Sequence, residues 1–214
     1  MEKGKYIVIE GGDATGKSTQ AEILANKLNE FGLETLLIEE PGSTIIGNEI
    51  RRIVKNGDLP RLPMTNVMLV TAGRIELWNE VIKPSIDSGK WVVSARNWYS
   101  MLAYQGYGEG LDLDFIESFT KEYVSNEYAT PNLSFVLTHS SHDEIVKRMA
   151  NRNNDEENDY FEKNDSINKL TVDESYRLIA QRVGAMALEI DGLSVEEVHG
   201  KIWDVIKKNI RIKY

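Results

Sequence analysis

The stretch Tyr6-Ile-Val-Ile-Glu-Gly-Gly-Asp-Ala-Thr-Gly-Lys-Ser-Thr-Gln20 sets the reading of everything around it. An apolar, β-branched run stops at a glycine pair, and a helical pattern starts just after Lys17. Gly11-x4-Gly16-Lys17-Ser18 has the spacing of a phosphate-binding P-loop. Gly11 and Gly16 permit the backbone angles that turn successive N–H groups inward, and the helix behind them adds its positive N-terminus. Gly11, Gly12, Asp13, Ala14, Thr15, Gly16, Lys17, Ser18 and Thr19 therefore form the expected cradle for ATP. Lys17 is expected to reach the β- and γ-phosphates, and the Ser18 hydroxyl to ligate Mg²⁺. An ordinary glycine-rich turn is the alternative, but strand, helix and full spacing all favour phosphate.

Outward from this loop, strand and helix signals alternate. A helix is predicted from about Ser18 to Phe31, with Gly32 ending it. Glu34 to Glu39 reads as a strand broken by Pro41-Gly42, and Ile45 to Lys55 as a helix. Asp58 to Pro63 reads as a loop, because neither proline suits a helix interior. A long helix follows from Thr65 to about Ile82, which Pro84 kinks or follows with another. Trp91 to Ser94 is the third strand, residues 99–110 a loop rich in tyrosine and glycine, and Asp114 to Val124 a helix. Leu133 to Thr138 is the fourth strand, and the capping-box spacing of Ser141 to Glu144 opens a helix to about Asn151. Residues 151–166 are crowded with Asn, Asp and Glu, a composition that cannot build a core and reads as a mobile surface segment. A helix from Val172 to Ala187, a strand at Leu188 to Asp191 and a helix from Val195 to Ile210 finish the chain. Five short strands alternating with helices give an α/β fold, a parallel sheet covered on both faces. Ligands then belong at the carboxyl ends of the strands.

Composition narrows the function classes. With 214 residues, 41% hydrophobic and 28% charged, the chain fits one soluble domain with a full core. No cysteine is present, which excludes disulfides and thiolate chemistry and fits a cytoplasmic setting. No apolar run approaches the length that spans a bilayer, so no membrane partner is expected. The net charge of −9 argues against nucleic acid as a partner. An enzyme for anionic nucleotides must then concentrate its few cations locally, so each arginine at a strand end is informative.

Arg96 follows the third strand and Glu40 the second, both at the edge near the P-loop. Arg96 suits a phosphate because a planar two-pronged donor matches its oxygens, with a salt bridge to Glu40 as the alternative. Asp13 would be repelled by phosphates and is better placed facing away, accepting from a hydroxyl or helping to hold hydrated Mg²⁺. Arg74 lies on an otherwise apolar helix, where a buried guanidinium needs an anion. Arg51, also helical, could equally be a surface residue. Arg148 and Arg152 stand four residues apart, on one helix face, and motivate a lid at about 148–166 that closes its arginines over the γ-phosphate. A solvated basic helix end is the plainer reading. Tyr104-Gln105-Gly106-Tyr107-Gly108 offers an amide able to donate to and accept from a pyrimidine edge at once. His139, His142 and His199 lack metal-ligand spacing and read as surface or capping residues.

Taken together, these motifs resemble the thymidylate kinases of the P-loop nucleoside monophosphate kinase group. The resemblance rests on Glu10 to Gln20, Glu40-Pro-Gly42 with Thr44 and Gly47, Arg51, Ala72-Gly73-Arg74 and Arg96. Further along it rests on Ala103-Tyr-Gln-Gly106, Pro131 with Leu133, Phe161-Glu162 and Ile190-Asp191. It implies one P-loop kinase domain over residues 1–214, a three-layer α/β/α fold with strand order 2-3-1-4-5, and a homodimer. It also implies transfer of the γ-phosphoryl group of ATP to dTMP with Mg²⁺. By similarity, Asp13 meets the sugar 3′-hydroxyl, Arg74 and Arg96 hold the acceptor phosphate or base, Gln105 reads the thymine and Tyr104 crowds out a 2′-hydroxyl. Glu40, Arg51, Val70 and Phe161 complete the implied acceptor site, and Lys17, Arg96, Arg148 and Arg152 carry the transfer. Arginines in the lid rather than the P-loop resemble the bacterial subtype. Three positions depart from the family pattern: Ala95 replaces an aspartate, Val70 a stacking phenylalanine and Gly73 an acidic residue. Two further readings follow: a kinase for another deoxypyrimidine monophosphate, such as dUMP, or a P-loop ATP-binding protein of weak kinase activity.

Overall fold

The computed structural model describes residues 2–140, 160–163 and 169–209. In chain order the first half comprises β1 (Tyr6–Gly11), α1 (Lys17–Glu30), β2 (Thr35–Glu39), α2 (Ile45–Lys55), α3 (Pro63–Leu77), α4 (Lys83–Asp87) and β3 (Trp91–Ala95). The rest comprises α5 (Tyr99–Met101), α6 (Leu113–Tyr123), α7 (Asn126–Ala129), β4 (Leu133–Thr138), α8 (Tyr160–Lys163), α9 (Lys169–Val183), β5 (Met186–Glu189) and α10 (Val195–Asn209). The five strands form one parallel sheet in the order β2-β3-β1-β4-β5. That is the expected P-loop kinase arrangement.

β1 is buried along its whole length because helices cover both faces of the sheet. Its side chains alternate between two cores. Tyr6 and Val8 pack with Ile38, Val92 and Val136 beneath α2, α3, α6 and α9, while Ile7 and Ile9 pack with Ala21, Leu24, Val93 and Phe135 beneath α1 and α10. In register, Ile9 of β1 lies opposite Ala95 of β3, and Ala95 opposite Glu39 of β2. The carboxyl ends of the three strands therefore stand side by side, and the P-loop, Glu40 and Arg96 leave the sheet along one edge.

Several boundaries differ from those predicted. Pro63 opens α3 rather than closing a loop, because the first helical position needs no N–H donor. α3 runs into a π-helical turn at Trp78–Ile82 before Pro84 enters α4. Residues 99–110, predicted as a loop, are largely helical: α5 leads into a π-helical segment, Leu102–Gly108. Glycine and tyrosine content obscured that pattern, and burial of Leu102, Ala103, Gln105 and Gly106 overrides their low helix propensity. α9 ends at Val183, four residues before the predicted end, because Gly184 turns the backbone at φ 68°. β5 accordingly pairs with β4 from Met186, Phe135 opposite Met186, rather than from Leu188. The expected helix from Ser141, Glu162's side chain, and Arg148 and Arg152 with most of the expected lid lie outside the described residues.

Candidate active site

The P-loop places glycine at two points where a side chain would be strained. Gly11 sits at φ 151°, and a Cβ there would stand 2.6 Å from the Leu137 carbonyl oxygen and 2.8 Å from Thr15 Oγ1. Gly16 sits at φ 80° and caps α1, with no side-chain cap and no acidic residue in the first turn. The first-turn N–H groups thus face the strand edge unshielded, as an anion site requires. Lys17, buried, folds its Nζ back onto the Gly12 carbonyl at 3.0 Å, and Thr15 Oγ1 donates to the same oxygen at 2.9 Å.

One open cavity of about 490 Å³ lies against this loop. Of the loop, Asp13, Ala14, Gly16, Lys17, Ser18 and Thr19 line it; across from them stand Glu40, Arg51, Val70, Arg74, Arg96, Tyr104, Gln105 and Phe161. Gly11, Gly12 and Thr15 shape the loop without lining the cavity. Pro41 of the quoted Glu40-Pro-Gly42 joins the wall, as do Glu39, Val54, Lys55, Ser100 and Met101, to which the sequence reading gave no site role.

Two ion pairs organise the floor. Arg96 Nη2 donates to Asp13 Oδ1 at 2.8 Å, and the Tyr104 hydroxyl donates to Asp13 Oδ2 at 3.1 Å. Lys17 Nζ stands 3.8 Å from the same carboxylate. Burial opposes ionisation of Asp13, yet Arg96 and Lys17 hold its carboxyl well below the usual range. The alternative pairing of Arg96 with Glu40 is thus replaced by a pairing with Asp13. Arg96 is also held at φ 74°, an uncommon conformation for a side chain of this size and one that clusters at functional sites.

Glu40 belongs to the second pair. It is fully buried, and Arg74 Nε donates to its Oε2 at 2.8 Å while the Tyr128 hydroxyl donates to the same oxygen at 2.6 Å. The anion that buried Arg74 needs is therefore inside the protein. Arg74 Nη2 donates to the Asn97 carbonyl at 2.7 Å, whereas Nη1 is buried with no hydrogen-bond partner among the described residues. Burial works against the guanidinium charge, but Tyr128 and Glu40 beside it keep it protonated. Arg51 bonds the Pro41 carbonyl at 2.8 Å and Glu39 Oε1 at 3.2 Å, which ties α2 to the turn after β2. Phe161 of α8 packs on Tyr104 with ring centroids 4.8 Å apart.

Glu10 is a positioning group that sequence reading missed. Its Oε1 accepts from the Asn97 N–H at 2.8 Å, the Ser100 N–H at 3.1 Å and the Ser100 hydroxyl at 2.8 Å, and its Oε2 from the Gly11 N–H at 3.1 Å. One buried carboxylate thereby fixes the turn that presents Arg96 to the P-loop. Two histidines also differ from expectation. His139 is almost fully covered and bonds Asp191 at 2.5 Å, and His199 is buried beside Trp203. Ala95 is buried in the apolar core with Ile7, Ile9 and Leu24, so it offers the cavity no charge.

A family model described as thymidylate kinase matches residues 9–202. The chain belongs to the thymidylate kinase family. The thymidylate kinase of Halothermothrix orenii is 32% identical over 205 residues, covering 96% of this chain and 97% of that one. That of Exiguobacterium sibiricum is 37% identical over 152 residues, 70% of this chain and 69% of its own. Two solved structures share the fold at 23% identity. The Ehrlichia chaffeensis thymidylate kinase superposes with a TM-score of 0.71 over 96% of this chain and 99% of that one. The Candida albicans enzyme superposes with a TM-score of 0.72 over 99% and 94%. The activity is accordingly ATP-dependent phosphorylation of dTMP to dTDP, and neither alternative, a kinase for another deoxypyrimidine monophosphate nor a P-loop ATP-binding protein of weak kinase activity, is favoured.

Proposed function

We propose that this cavity works as a two-ligand site, with triphosphate along Asp13 to Thr19 and dTMP against Arg74, Arg96 and Gln105. The observation that carries this reading is the Arg96–Asp13 contact, which joins the two halves at one point on the cavity floor. Phosphoryl transfer needs positive charge around the moving group, because its charge spreads over three oxygens. Lys17 and Arg96 supply that charge from the described residues, and Arg148 and Arg152 from the lid at about 148–166 of one domain. Asp13 holds Arg96 in place and accepts from the sugar 3′-hydroxyl when dTMP enters. The unpartnered Nη1 of Arg74 supports a hydrogen bond from that arginine to the acceptor nucleotide. Tyr104, pinned between Asp13 and Phe161, supports exclusion of a 2′-hydroxyl.

Mg²⁺ suits this arrangement. It takes oxygen ligands, keeps several waters and is commonly bound through one or two protein groups plus substrate phosphates. Ser18 lines the cavity at the start of α1 and would be its protein ligand, with Asp13 and Glu40 the carboxylates at hand since Ala95 brings none. When bound, the ion would neutralise charge between the β- and γ-phosphates. A cytoplasmic homodimer completes the proposal. Exposed Ile45, Ile46 and Ile53 on α2 and Met68 on α3 support an interface there. No helix among the described residues is long and apolar enough to cross a membrane.

The test is a kcat and KM comparison on Arg96→Ala and Gln105→Ala. Loss of Arg96 is expected to lower kcat by about 100-fold or more, and loss of Gln105 to raise the KM for dTMP with a smaller change in kcat. Unchanged constants in both variants would remove the acceptor half of the site.

A further inference from the structure

Gln105 does not face the cavity alone. Its Nε2 donates to Glu109 Oε2 at 3.1 Å, from a side chain that does not line the cavity. The wide turn of Leu102–Gly108 puts the two residues on one side, with the Glu109 N–H bonding the Tyr104 carbonyl at 2.9 Å and the Leu111 N–H the Gln105 carbonyl at 2.9 Å. Burial pushes the Glu109 carboxyl up, and Gln105, Arg61 and Tyr160 act against that by favouring the carboxylate; the Arg61 guanidinium lies over the Tyr160 ring at 3.8 Å. Gln105 itself is 3% exposed and is among the residues that line the cavity.

A primary amide can present its two ends to a ligand in either order, and little in its shape chooses between them. A carboxylate chooses, because it only accepts. With Glu109 behind it, the Gln105 NH₂ must keep one hydrogen on the carboxylate, which leaves the second hydrogen and Oε1 for the base. We propose that Glu109 is a positioning residue that locks the Gln105 amide in the order suited to a pyrimidine edge with a ring N–H beside a carbonyl. Thymine and uracil have that edge: Oε1 accepts from N3–H and Nε2 donates to O4. Cytosine reverses both groups, with an acceptor at N3 and an amino donor at C4. To meet cytosine the amide must turn over, and Gln105 Oε1 would then face the Glu109 carboxylate, acceptor against acceptor. The site thus rejects cytosine through a residue that touches no substrate. This rests on the reading that Gln105 faces the acceptor base.

The experiment compares kcat/KM for dTMP and dCMP in the wild type, Glu109→Gln and Glu109→Lys, with melting temperatures for all three. An amide at 109 can donate as well as accept, so Gln105 is free to turn. The dTMP-to-dCMP ratio is expected to fall by at least about ten-fold, mainly through a gain on dCMP. A lysine at 109 only donates, and is expected to shift the preference further toward dCMP. A folded Glu109→Gln with an unchanged ratio, or with both activities lowered together, overturns the lock and leaves the site reading intact. A Gln105→Ala variant with an unchanged KM for dTMP removes the site reading and the lock together.

Discussion

Arg96 and Glu10 show how much of this site is decided by single side chains. Arg96 holds φ 74°, where a side chain costs about 1–2 kcal/mol relative to glycine. Arg96→Gly is therefore expected to melt higher than Arg96→Ala, although both lose the same guanidinium and the same activity; equal or reversed melting temperatures would show that the backbone there is not strained. Glu10→Ala removes the acceptor of the buried Asn97 N–H and of the half-buried Ser100 donors. At about 1–3 kcal/mol per unsatisfied group, a loss of about 2–4 kcal/mol by denaturant unfolding is expected, with a lowered kcat because Arg96 loses its anchor. Arg96 and the P-loop residues were legible in the sequence, since spacing and strand-end position name them. Glu10 sat inside the same motif yet carried no visible role, because its partners lie 87 to 90 residues further on. The Arg74–Glu40 and Arg96–Asp13 pairing was hidden for the same reason: two acids and an arginine after neighbouring strands, with a second arginine on α3, admit either assignment, and only the packed structure chooses.

At the scale of elements, the strands and the long helices could be read from periodicity, while the segment after β3 could not. Leu102–Gly108 has a wider repeat than an α-helix, so its buried positions fall at no familiar spacing, and its glycines imitate a loop. Gly106 sits close to α6: an added Cβ would collide with Leu113 Cδ2, the end of a flexible side chain, and would touch Ile116 Cδ1 at an ordinary 3.5 Å. Gly106→Ala is expected to cost about 1 kcal/mol or less, because the Leu113 side chain must turn aside while alanine favours the helical backbone. It should also raise the KM for dTMP, because Tyr104 and Gln105 flank the residue that moves. A much larger loss would show that Leu113 cannot turn aside. The predicted ends of α9 and β5 slipped because alternation in Met186–Glu189 is weak on an edge strand whose residues are mostly exposed. Gly184, not hydrophobic pattern, marks the break.

Across the whole molecule, strand order followed from the resemblance, and the sheet matches it. Outside the cavity lining, Asp191 after β5 fastens the sheet edge to the end of β4 through His139 and Ser140. Burial works against its charge, but hydrogen bonds from His139 and Ser140 hold its carboxyl down at about 2. A depressed acid stabilises the fold above its unfolded value of about 4 and loses that contribution as pH falls toward 2. The melting temperature of Asp191→Asn is therefore expected to lie below that of the wild type at pH 7 and to converge with it near pH 2; a constant gap would assign the effect to packing instead. The proposed dimer is tested by sedimentation of Ile46→Glu with Met68→Glu, which is expected to shift the protein to monomer. The central claim, one cavity joining triphosphate to a thymine nucleotide, is tested most directly by ADP release from ATP across the nucleoside monophosphates. The expected result is that dTMP gives the highest kcat/KM and that release without an acceptor is near background. ADP release at the same rate with and without dTMP would contradict it.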